Sequence, residues 1–159
     1  MTPNQLYHFR DPATNTTGST NGLDATFTTL PDAPTTTAAT SVGETGFTAN
    51  WTGGAGNAPD SYTLDVATDA SFTSMVSGYP LAGIVGTSSA VSGLSGGTTY
   101  YYRARAVAAS GTSANSNTTS VLTVPGAPTA NDPTGVGATS FTAHWTAQTG
   151  TFIDYRFDA

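Results

Sequence analysis

The sequence predicts an all-β fold, a sandwich of two packed sheets, on three observations. Thr makes up about a fifth of the 159 residues and there are 18 glycines, a composition that favours strands joined by turns. Charged residues are only 9% of the chain, against about 25% in an ordinary domain. Finally, short runs of alternating apolar and polar residues follow one another at regular spacing from Thr35 to Val124, which is typical of a sandwich.

The first strands of this central run are predicted from alternation with a period of two. Apolar side chains alternate with polar ones in 47–51, and the pattern ends at the glycine-rich turn 53–57. The alternation returns in 62–66 and ends at the turn 68–71. Each run therefore predicts a half-buried strand with one face toward the core. The inward residues are Phe47, Ala49 and Trp51 in the first strand and Tyr62, Leu64 and Val66 in the second.

A second part of the pattern is the stretch from Leu94 to Val107, where a Ser-Gly-Gly turn leads into a long strand. In this strand Tyr100 and Tyr102 share one face, and the alternate positions share the other. A short strand at 88–91 precedes the turn, and a turn at 110–112 returns the chain through 118–124. The outward positions, which we take as possible ligand-facing residues, are Tyr101, Arg103 and Arg105.

Both ends of the chain repeat parts of this central run. Residues 1–10 align with residues 94–103 without a gap, which places Tyr7 at the position of Tyr100. Trp145 and Trp51 differ by 94 positions (145 minus 51), and the same offset aligns Phe141 with Phe47. We therefore predict three parts, separated by the proline-containing junctions 31–34 and 125–128. They are the last two strands of one unit (1–30), a complete unit (31–124) and the first three strands of another (125–159).

The central unit resembles a fibronectin type III domain. Trp51 stands where that family has a core tryptophan in its second strand, and the sequence LSGGTTY from Leu94 to Tyr100 resembles the family's tyrosine corner. The resemblance implies an immunoglobulin-like sandwich in which the Tyr100 hydroxyl bonds the backbone a few residues upstream. When the resemblance is extended to the partial units at 1–30 and 125–159, it implies structural roles for Tyr7 and Trp145. The chain departs from the family at Gly96, where proline is usual.

Charge and composition exclude several classes of function. The four basic residues are all Arg and the net charge is −6, so no basic patch is available for nucleic acid. There is no Cys for thiol chemistry. No apolar run approaches the roughly 20 residues that span a bilayer, so membrane insertion is not expected. A secretion signal, if the parent protein has one, lies outside this segment.

No residue pattern indicates catalysis, a cofactor or a metal site. His8 and His144 lack a second ligand or an orienting group at matched spacing, which favours a structural or exposed role. Asp60, Asp65 and Asp69 could suggest calcium, but they lack the spacing of a calcium loop, and turn chemistry is favoured for Asp69. No serine lies in a G-x-S-x-G elbow.

The outward residues of the long strand have two interpretations. Arg103 and Arg105 are expected to form a cross-strand ion pair with Asp65, worth about 0.2 to 1 kcal/mol. Tyr101, with Tyr62 and Tyr79, could form an aromatic platform for sugars. Alternation more simply places Tyr62 in the core.

These observations favour a non-catalytic spacer or structural repeat of an extracellular or cell-surface protein, whose partners are adjacent repeats or copies of itself. The alternatives are an adhesion or carbohydrate-binding module, recognising a surface glycan or a protein, and an accessory domain of a secreted hydrolase or phage tail protein. The partial units at the two ends have two explanations, since they are either cut from a longer array or complement each other between copies, head to tail.

Overall fold

A computed structural model describes residues 1–156, and the regular secondary structure of that range is entirely β. The predicted all-β sandwich is confirmed. No helix among these residues is long and apolar enough to cross a membrane. The strands are β1 (Leu6–Phe9), β2 (Pro12–Asn15), β3 (Gly18–Asn21), β4 (Ala25–Thr28), β5 (Thr35–Thr40), β6 (Gly46–Thr52), β7 (Ser61–Ala67), β8 (Leu81–Ile84), β9 (Ser88–Ser92), β10 (Thr99–Ala108), β11 (Gly111–Thr112), β12 (Thr119–Leu122), β13 (Thr129–Thr134) and β14 (Thr142–Thr146).

Strands β5 to β12 form the central sandwich, which has two antiparallel sheets. One sheet has the order β5-β6-β9. In the other, β10 lies between β7 and the returning strands β11 and β12, and β8 pairs with the far edge of β7. The long strand β10 therefore has hydrogen-bonded neighbours on both edges.

The core lies between the two sheets and consists of the inward residues that the alternation predicts. Phe47, Ala49 and Trp51 of β6 are buried against residues of β7 and β10. Phe47 and Tyr102 face each other across the sheets with ring centroids 5.6 Å apart, and Trp51 packs against Tyr62 at 5.6 Å. The remaining buried members of this core are Leu64, Val66, Val91, Leu94, Tyr100, Ala104, Ala106 and Val121.

Strand β7 is buried on both faces, which its alternating sequence does not predict. Besides the inward residues, Thr63, Asp65 and Ala67 on the outward face are also buried. The reason at Asp65 is tertiary, because Arg103 and Arg105 of β10 reach over it and Phe72 packs against Arg103. A side chain in the centre of a sheet can be buried on the solvent side by its neighbours alone.

Residues 1–30 form a bent hairpin in which the two predicted strands each divide. β1 pairs with β4, and β2 pairs with β3 around a turn at Asn15, whose side chain accepts hydrogen bonds from the backbone N–H groups of Thr17 and Gly18. The first of the two strands predicted for residues 1–30 is interrupted at residues 10–11. At this point Gly22 N donates a backbone hydrogen bond to Asp11 O across the hairpin.

The C-terminal part contains a second hairpin, β13–β14, that copies β5–β6. The pairs Thr129↔Thr146, Ala130↔Trp145 and Thr134↔Thr142 correspond, at an offset of 94, to Thr35↔Thr52, Thr36↔Trp51 and Thr40↔Thr48. Both ladders shift register at the same place, after Asn131 and after Thr37. The internal repeat therefore extends to the backbone register, including its irregularity.

The third strand expected at the C-terminus is not seen in the described part of its segment. Residues 154–156 are not in a strand, and Phe157 and Asp158 lie outside the described residues. The equivalent β7 is held in the central unit by β10, and no strand of the described residues pairs with 154–156. The boundaries predicted at 30/31 and 124/125 fall in strand-free segments between β4 and β5 and between β12 and β13.

Candidate functional site

The outward face of the β7–β10 pair carries an ion-pair cluster centred on Asp65. Asp65 Oδ2 accepts hydrogen bonds from Arg103 Nε and Arg105 Nη1, both at 2.9 Å. Register explains the meeting, since Arg103 lies directly opposite Asp65 and Arg105 lies two residues further along β10. The Asp65 side chain is only 4% exposed, whereas the two arginines are 27% and 26% exposed. The predicted pairing is thus present, but the carboxylate is buried.

The burial of Asp65 changes the stabilisation expected from this ion pair. The value of about 0.2 to 1 kcal/mol applies to pairs in which both partners are exposed. Here Phe72 lies against the Arg103 guanidinium at 4.0 Å from the ring centroid, so that the arginine is held over the carboxylate. Breaking such a pair leaves a buried charge without its partners and costs more than the loss of a surface pair.

The structure does not assemble the aromatic platform considered for sugar binding. Tyr101 is partly exposed on the outward face of β10, opposite Ala67. Tyr62 belongs to the core, and Tyr79 is packed against that core from its edge. The three rings are therefore not gathered on one surface.

The histidines and the acidic turn take local roles. His8 Nδ1 lies 2.6 Å from Asp24 Oδ2, an orienting carboxylate that sequence spacing did not suggest, and both side chains are exposed. His144 Nε2 lies 2.8 Å from Thr134 Oγ1. Within residues 1–156 no group of three or more metal-ligating side chains occurs.

Asp69 closes the turn after β7 with its side chain. It accepts hydrogen bonds from the backbone N–H groups of Ser74 at 2.7 Å, Ser71 at 2.9 Å and Thr73 at 3.2 Å. These donors, Ser74 and Thr73 first, hold the pKa of Asp69 below its ordinary value of 3.8. This is the chemistry of a carboxylate that caps a turn.

Two side-chain hydroxyl groups, those of Tyr100 and Thr123, hold the corner that leads into β10 by hydrogen bonds to its backbone. The Tyr100 hydroxyl accepts a hydrogen bond from Ser95 N at 3.0 Å, with Leu94 buried beside it. Thr123, which is 1% exposed and which the sequence analysis missed, completes the corner. Its hydroxyl lies 2.8 Å from Ser95 O and accepts a hydrogen bond from Thr98 N at 3.0 Å.

The same corner is present at the N-terminus, bond for bond. The Tyr7 hydroxyl accepts a hydrogen bond from Thr2 N. The Thr29 hydroxyl lies 2.7 Å from Thr2 O and accepts a hydrogen bond from Gln5 N at 3.0 Å. Thr29 is thus the counterpart of Thr123, and the signal that could have identified both is their shared place just before the proline-containing junction.

This N-terminal corner contacts the loop between β6 and β7 of the central sandwich. Asn57 N donates to Pro3 O at 3.2 Å, and Asn57 Nδ2 donates to Asn4 O at 3.0 Å. In the opposite direction Asn4 Nδ2 donates to Ala58 O at 2.8 Å. Gly56, with a φ of +89°, lies so close that a Cβ atom would stand 2.4 Å from Pro3 O. We call this set of contacts the N-terminal junction.

An equivalent set of contacts joins the central sandwich to the C-terminal hairpin. Thr151 N donates to Gly97 O at 2.6 Å. Gly150, with a φ of +112°, is placed so that a Cβ atom would stand 2.7 Å from Gly96 O. By the internal repeat, Gly150 corresponds to Gly56 and Gly96 corresponds to Pro3. We call this set the C-terminal junction. The glycine contact is common to the two junctions, whereas the hydrogen bonds differ, since Thr151 N donates to Gly97 O and its counterpart Asn57 N donates to Pro3 O.

The terminal hairpins each expose an aromatic face. The N-terminal aromatic face consists of Tyr7, Phe9 and Phe27, with Tyr7 and Phe27 stacked at 5.7 Å. The C-terminal aromatic face consists of Phe141, Ala143, Trp145 and Tyr155, with Trp145 and Tyr155 at 5.7 Å. The latter lines an open cavity of about 310 Å³. Trp145 is 45% exposed, in contrast to its buried counterpart Trp51.

Comparison with known proteins identifies the central unit. The fibronectin type III domain matches residues 32–122, which is more than half of the chain. No curated protein sequence matches. The solved structures that resemble the chain include one described as "Myokine structure", at 16% identity and a TM-score of 0.51, covering 59% of this chain and 98% of that one.

Two further solved structures resemble the chain. The FN1-FN3 domains of chicken CNTN1 are 19% identical, with a TM-score of 0.48 over 78% of this chain and 44% of that one. The FN5 domain of Drosophila Lar is 18% identical, with a TM-score of 0.48 over 61% of this chain and all of that one, 100%.

Fibronectin type III domains are generally non-catalytic modules, commonly structural or adhesive, and typically occur in extracellular or cell-surface proteins. The match to residues 32–122, on a sandwich whose core holds Trp51 and whose corner is closed by Tyr100, shows that this chain belongs to the fibronectin type III family.

Proposed function

We propose that this chain is a non-catalytic spacer from an extracellular or cell-surface protein, in which sandwich units follow one another in a semi-rigid row that copies of the chain can continue head to tail. The observation that carries this proposal is the equivalence of the two junctions. In each, the corner before a tyrosine strand contacts a glycine at positive φ in the next loop, Gly56 or Gly150. A glycine contact that recurs at both junctions favours a similar orientation of successive units.

The hydrogen bonds of the N-terminal junction support a stiff connection. Asn4 and Asn57 exchange side-chain bonds with backbone across it, and Asp32 Oδ2 accepts a hydrogen bond from Ala55 N at 3.0 Å. Interfaces between domains of one chain are often loose. Several bonds on both sides of a proline-containing linker restrict that motion.

A binding role receives no comparable support. Arg103 and Arg105 are engaged with Asp65, and Tyr101 is separated from the other tyrosines considered for a platform. The loop 53–60, which a binding module could use for a ligand, is occupied in part by the N-terminal junction.

The experiment that tests the spacer is ¹⁵N relaxation on the full chain. We expect the amides of β1 and β4 to report the same rotational correlation time as those of the central sandwich. The double substitution Asn4→Ala and Asn57→Ala should release the hairpin into faster independent motion, whereas Asn115→Ala, at an exposed asparagine far from the junction in sequence, should not. Independent tumbling of β1 and β4 in the unsubstituted chain would overturn the proposal.

A further inference from the structure

The two terminal aromatic faces have buried counterparts in the central sandwich. Tyr7 lies opposite Phe27 in the β1–β4 ladder, just as Tyr100 lies opposite Val121 in the β10–β12 ladder. Phe9 corresponds to Tyr102 in the same alignment. All three central residues are buried, whereas Phe9 is 54% and Phe27 39% exposed.

The C-terminal aromatic face has the same relation to strand β6. Phe141, Ala143 and Trp145 correspond to Phe47, Ala49 and Trp51 at the offset of 94. The ladder register of β13–β14 matches that of β5–β6, so the backbone already presents these side chains as β6 presents its own. The Trp145–Tyr155 contact likewise reproduces Trp51–Tyr62.

The central sandwich shows what covers such a face. The residues that correspond to the two terminal faces pack on each other there, with Phe47 against Tyr102 at 5.6 Å and all of them in one buried cluster. Each terminal face is thus one half of a core whose complete form the same chain contains. Sheet packing of this kind needs matched apolar faces about 10 Å apart, and the repeat supplies the matching residues.

We propose that the N-terminal aromatic face of one copy of this chain packs on the C-terminal aromatic face of a second copy, as β10 and β12 pack across β5 and β6. This inference rests on the proposed function, because it extends the row of units from one chain to the next. Within residues 1–30 and 125–156 the structure describes no counterparts of β8 and β9, so the joint buries less than the central sandwich and we expect the association to depend on concentration.

The joint forms between copies because the two hairpins attach to opposite ends of the central sandwich. The N-terminal junction is at the loop before β7, and the C-terminal junction is at the turn before β10. β7 and β10 are antiparallel, with Ser61 opposite Val107 and Tyr101 opposite Ala67. The starts of these two strands, and hence the two junctions, lie at opposite ends. A contact between unlike faces that does not close on itself gives linear chains.

The test is sedimentation equilibrium of the full chain over a range of concentrations. We expect the weight-average mass to rise with concentration, and to rise further with added salt, because the net charge of −6 opposes association. Phe27→Ser and Trp145→Ser should each abolish self-association, since each destroys one face. A mass that stays at the monomer value at every concentration and salt would overturn the proposal.

A mixing experiment distinguishes the head-to-tail joint from other contacts. The Phe27→Ser chain retains its C-terminal aromatic face and the Trp145→Ser chain retains the other, so an equimolar mixture should form dimers and no larger species. Recovery of association in the mixture also shows that each variant is folded at its remaining face. Self-association of either variant alone, or none in the mixture, would contradict the proposal.

Matched control substitutions are available on both hairpins. Leu23→Ser removes a side chain that is 95% exposed but lies in the loop between β3 and β4, and Val136→Ser removes one that is 71% exposed between β13 and β14. Both controls should associate like the unsubstituted chain. Loss of association in the controls would indicate general surface hydrophobicity and would overturn the assigned faces. Relaxation within the chain and mass between chains are separate readouts, so failure of this joint is distinguishable from failure of the spacer.

Discussion

Gly56 faces the carbonyl oxygen of Pro3 at a distance that leaves no room for a side chain, since a Cβ atom would stand 2.4 Å from that oxygen. The close approach lets the neighbouring Asn57 N–H reach Pro3 O at 3.2 Å. Glycine is required here for two reasons, because the backbone φ is positive and because there is no room for a Cβ atom beside Pro3 O. Gly150 repeats this relation with Gly96 at 2.7 Å, so the two positions are linked by one packing requirement.

The first prediction concerns Gly56→Ala. The substitution should push Pro3 away from the loop, so that hydrogen exchange at the Asn57 amide becomes faster. Gly78→Ala is the matched control, because Gly78 has a φ of +87° but nothing within 4 Å of the added Cβ. Both changes should cost about 1–2 kcal/mol of backbone strain. Only Gly56→Ala should affect Asn57 exchange, and equal effects would show that strain alone is at work.

A second prediction follows from the burial of Asp65. Asp65→Ala removes the acceptor of two charged hydrogen bonds and leaves Arg103 and Arg105 facing each other across the vacated site. We expect a loss of about 1.5–3 kcal/mol in the free energy of unfolding, measured in urea. The arginines are partly exposed, which keeps the loss below that of a fully buried pair.

The control for Asp65 is the exposed pair His8–Asp24. Asp24→Ala should leave the unfolding of the central sandwich unchanged, because both partners are solvent-exposed and lie in the N-terminal hairpin. Added salt should reduce the Asp65 effect only in part, since a buried carboxylate is poorly screened. A loss at Asp65 of no more than about 1 kcal/mol would return this pair to the class of surface ion pairs.

The central fold follows from the sequence because period-two alternation and burial agree there. Phe47, Trp51 and Tyr100 lie inward as their strands predict. The burial of Asp65 does not follow from the sequence, since alternation places it on a solvent face and only the tertiary covering by Arg103 and Phe72 buries it. Long side chains that fold over a neighbour leave no periodic signal in the sequence.

The junctions were the part of the candidate site least accessible to sequence reasoning. Their hydrogen bonds join Asn57 to Asn4 and Thr151 to Gly97, residues more than 50 positions apart. Such pairs show no spacing rule, and Gly56 by itself reads as an ordinary turn glycine. The internal repeat could have indicated them, because it places a glycine at the same point in both copies of the loop.

The third prediction is a pH dependence of the turn after β7. The pKa of folded Asp69 lies below its ordinary value of 3.8, chiefly because Ser74 and Thr73 donate backbone hydrogen bonds to the carboxylate. Stability from this group is therefore complete above the unfolded pKa and is lost as pH falls through the folded pKa. The amide shifts of Ser71 and Ser74 should titrate with a midpoint below 3.8.

Asp69→Asn supplies the comparison for that titration. An asparagine side chain has one acceptor oxygen, which can keep the bonds from Ser71 N and Thr73 N, whereas its amide nitrogen cannot accept the bond that Ser74 N donates to the second carboxylate oxygen. The turn should therefore be weakened but retained, while the acid transition at Ser71 and Ser74 disappears. A midpoint at or above 3.8 in the unsubstituted chain would mean that the backbone donors do not favour the ionised form.

The last prediction concerns Thr123, whose hydroxyl lies within hydrogen-bond distance of three backbone atoms at the corner, Thr98 N, Ser95 O and Thr98 O. Thr123→Val keeps the shape of the side chain but removes the acceptor for Thr98 N and the donor to Ser95 O. A buried polar group left without a partner costs about 1–3 kcal/mol. We expect urea unfolding to show that loss, and Thr123→Ser, which keeps the hydroxyl, to recover most of it. The equivalent Thr29→Val in the N-terminal copy should leave the unfolding of the central sandwich unchanged and loosen only its own hairpin, since Thr29 lies outside the core. If Thr123→Ser were as damaging as Thr123→Val, the corner would depend on the packing of the methyl group and not on the hydroxyl.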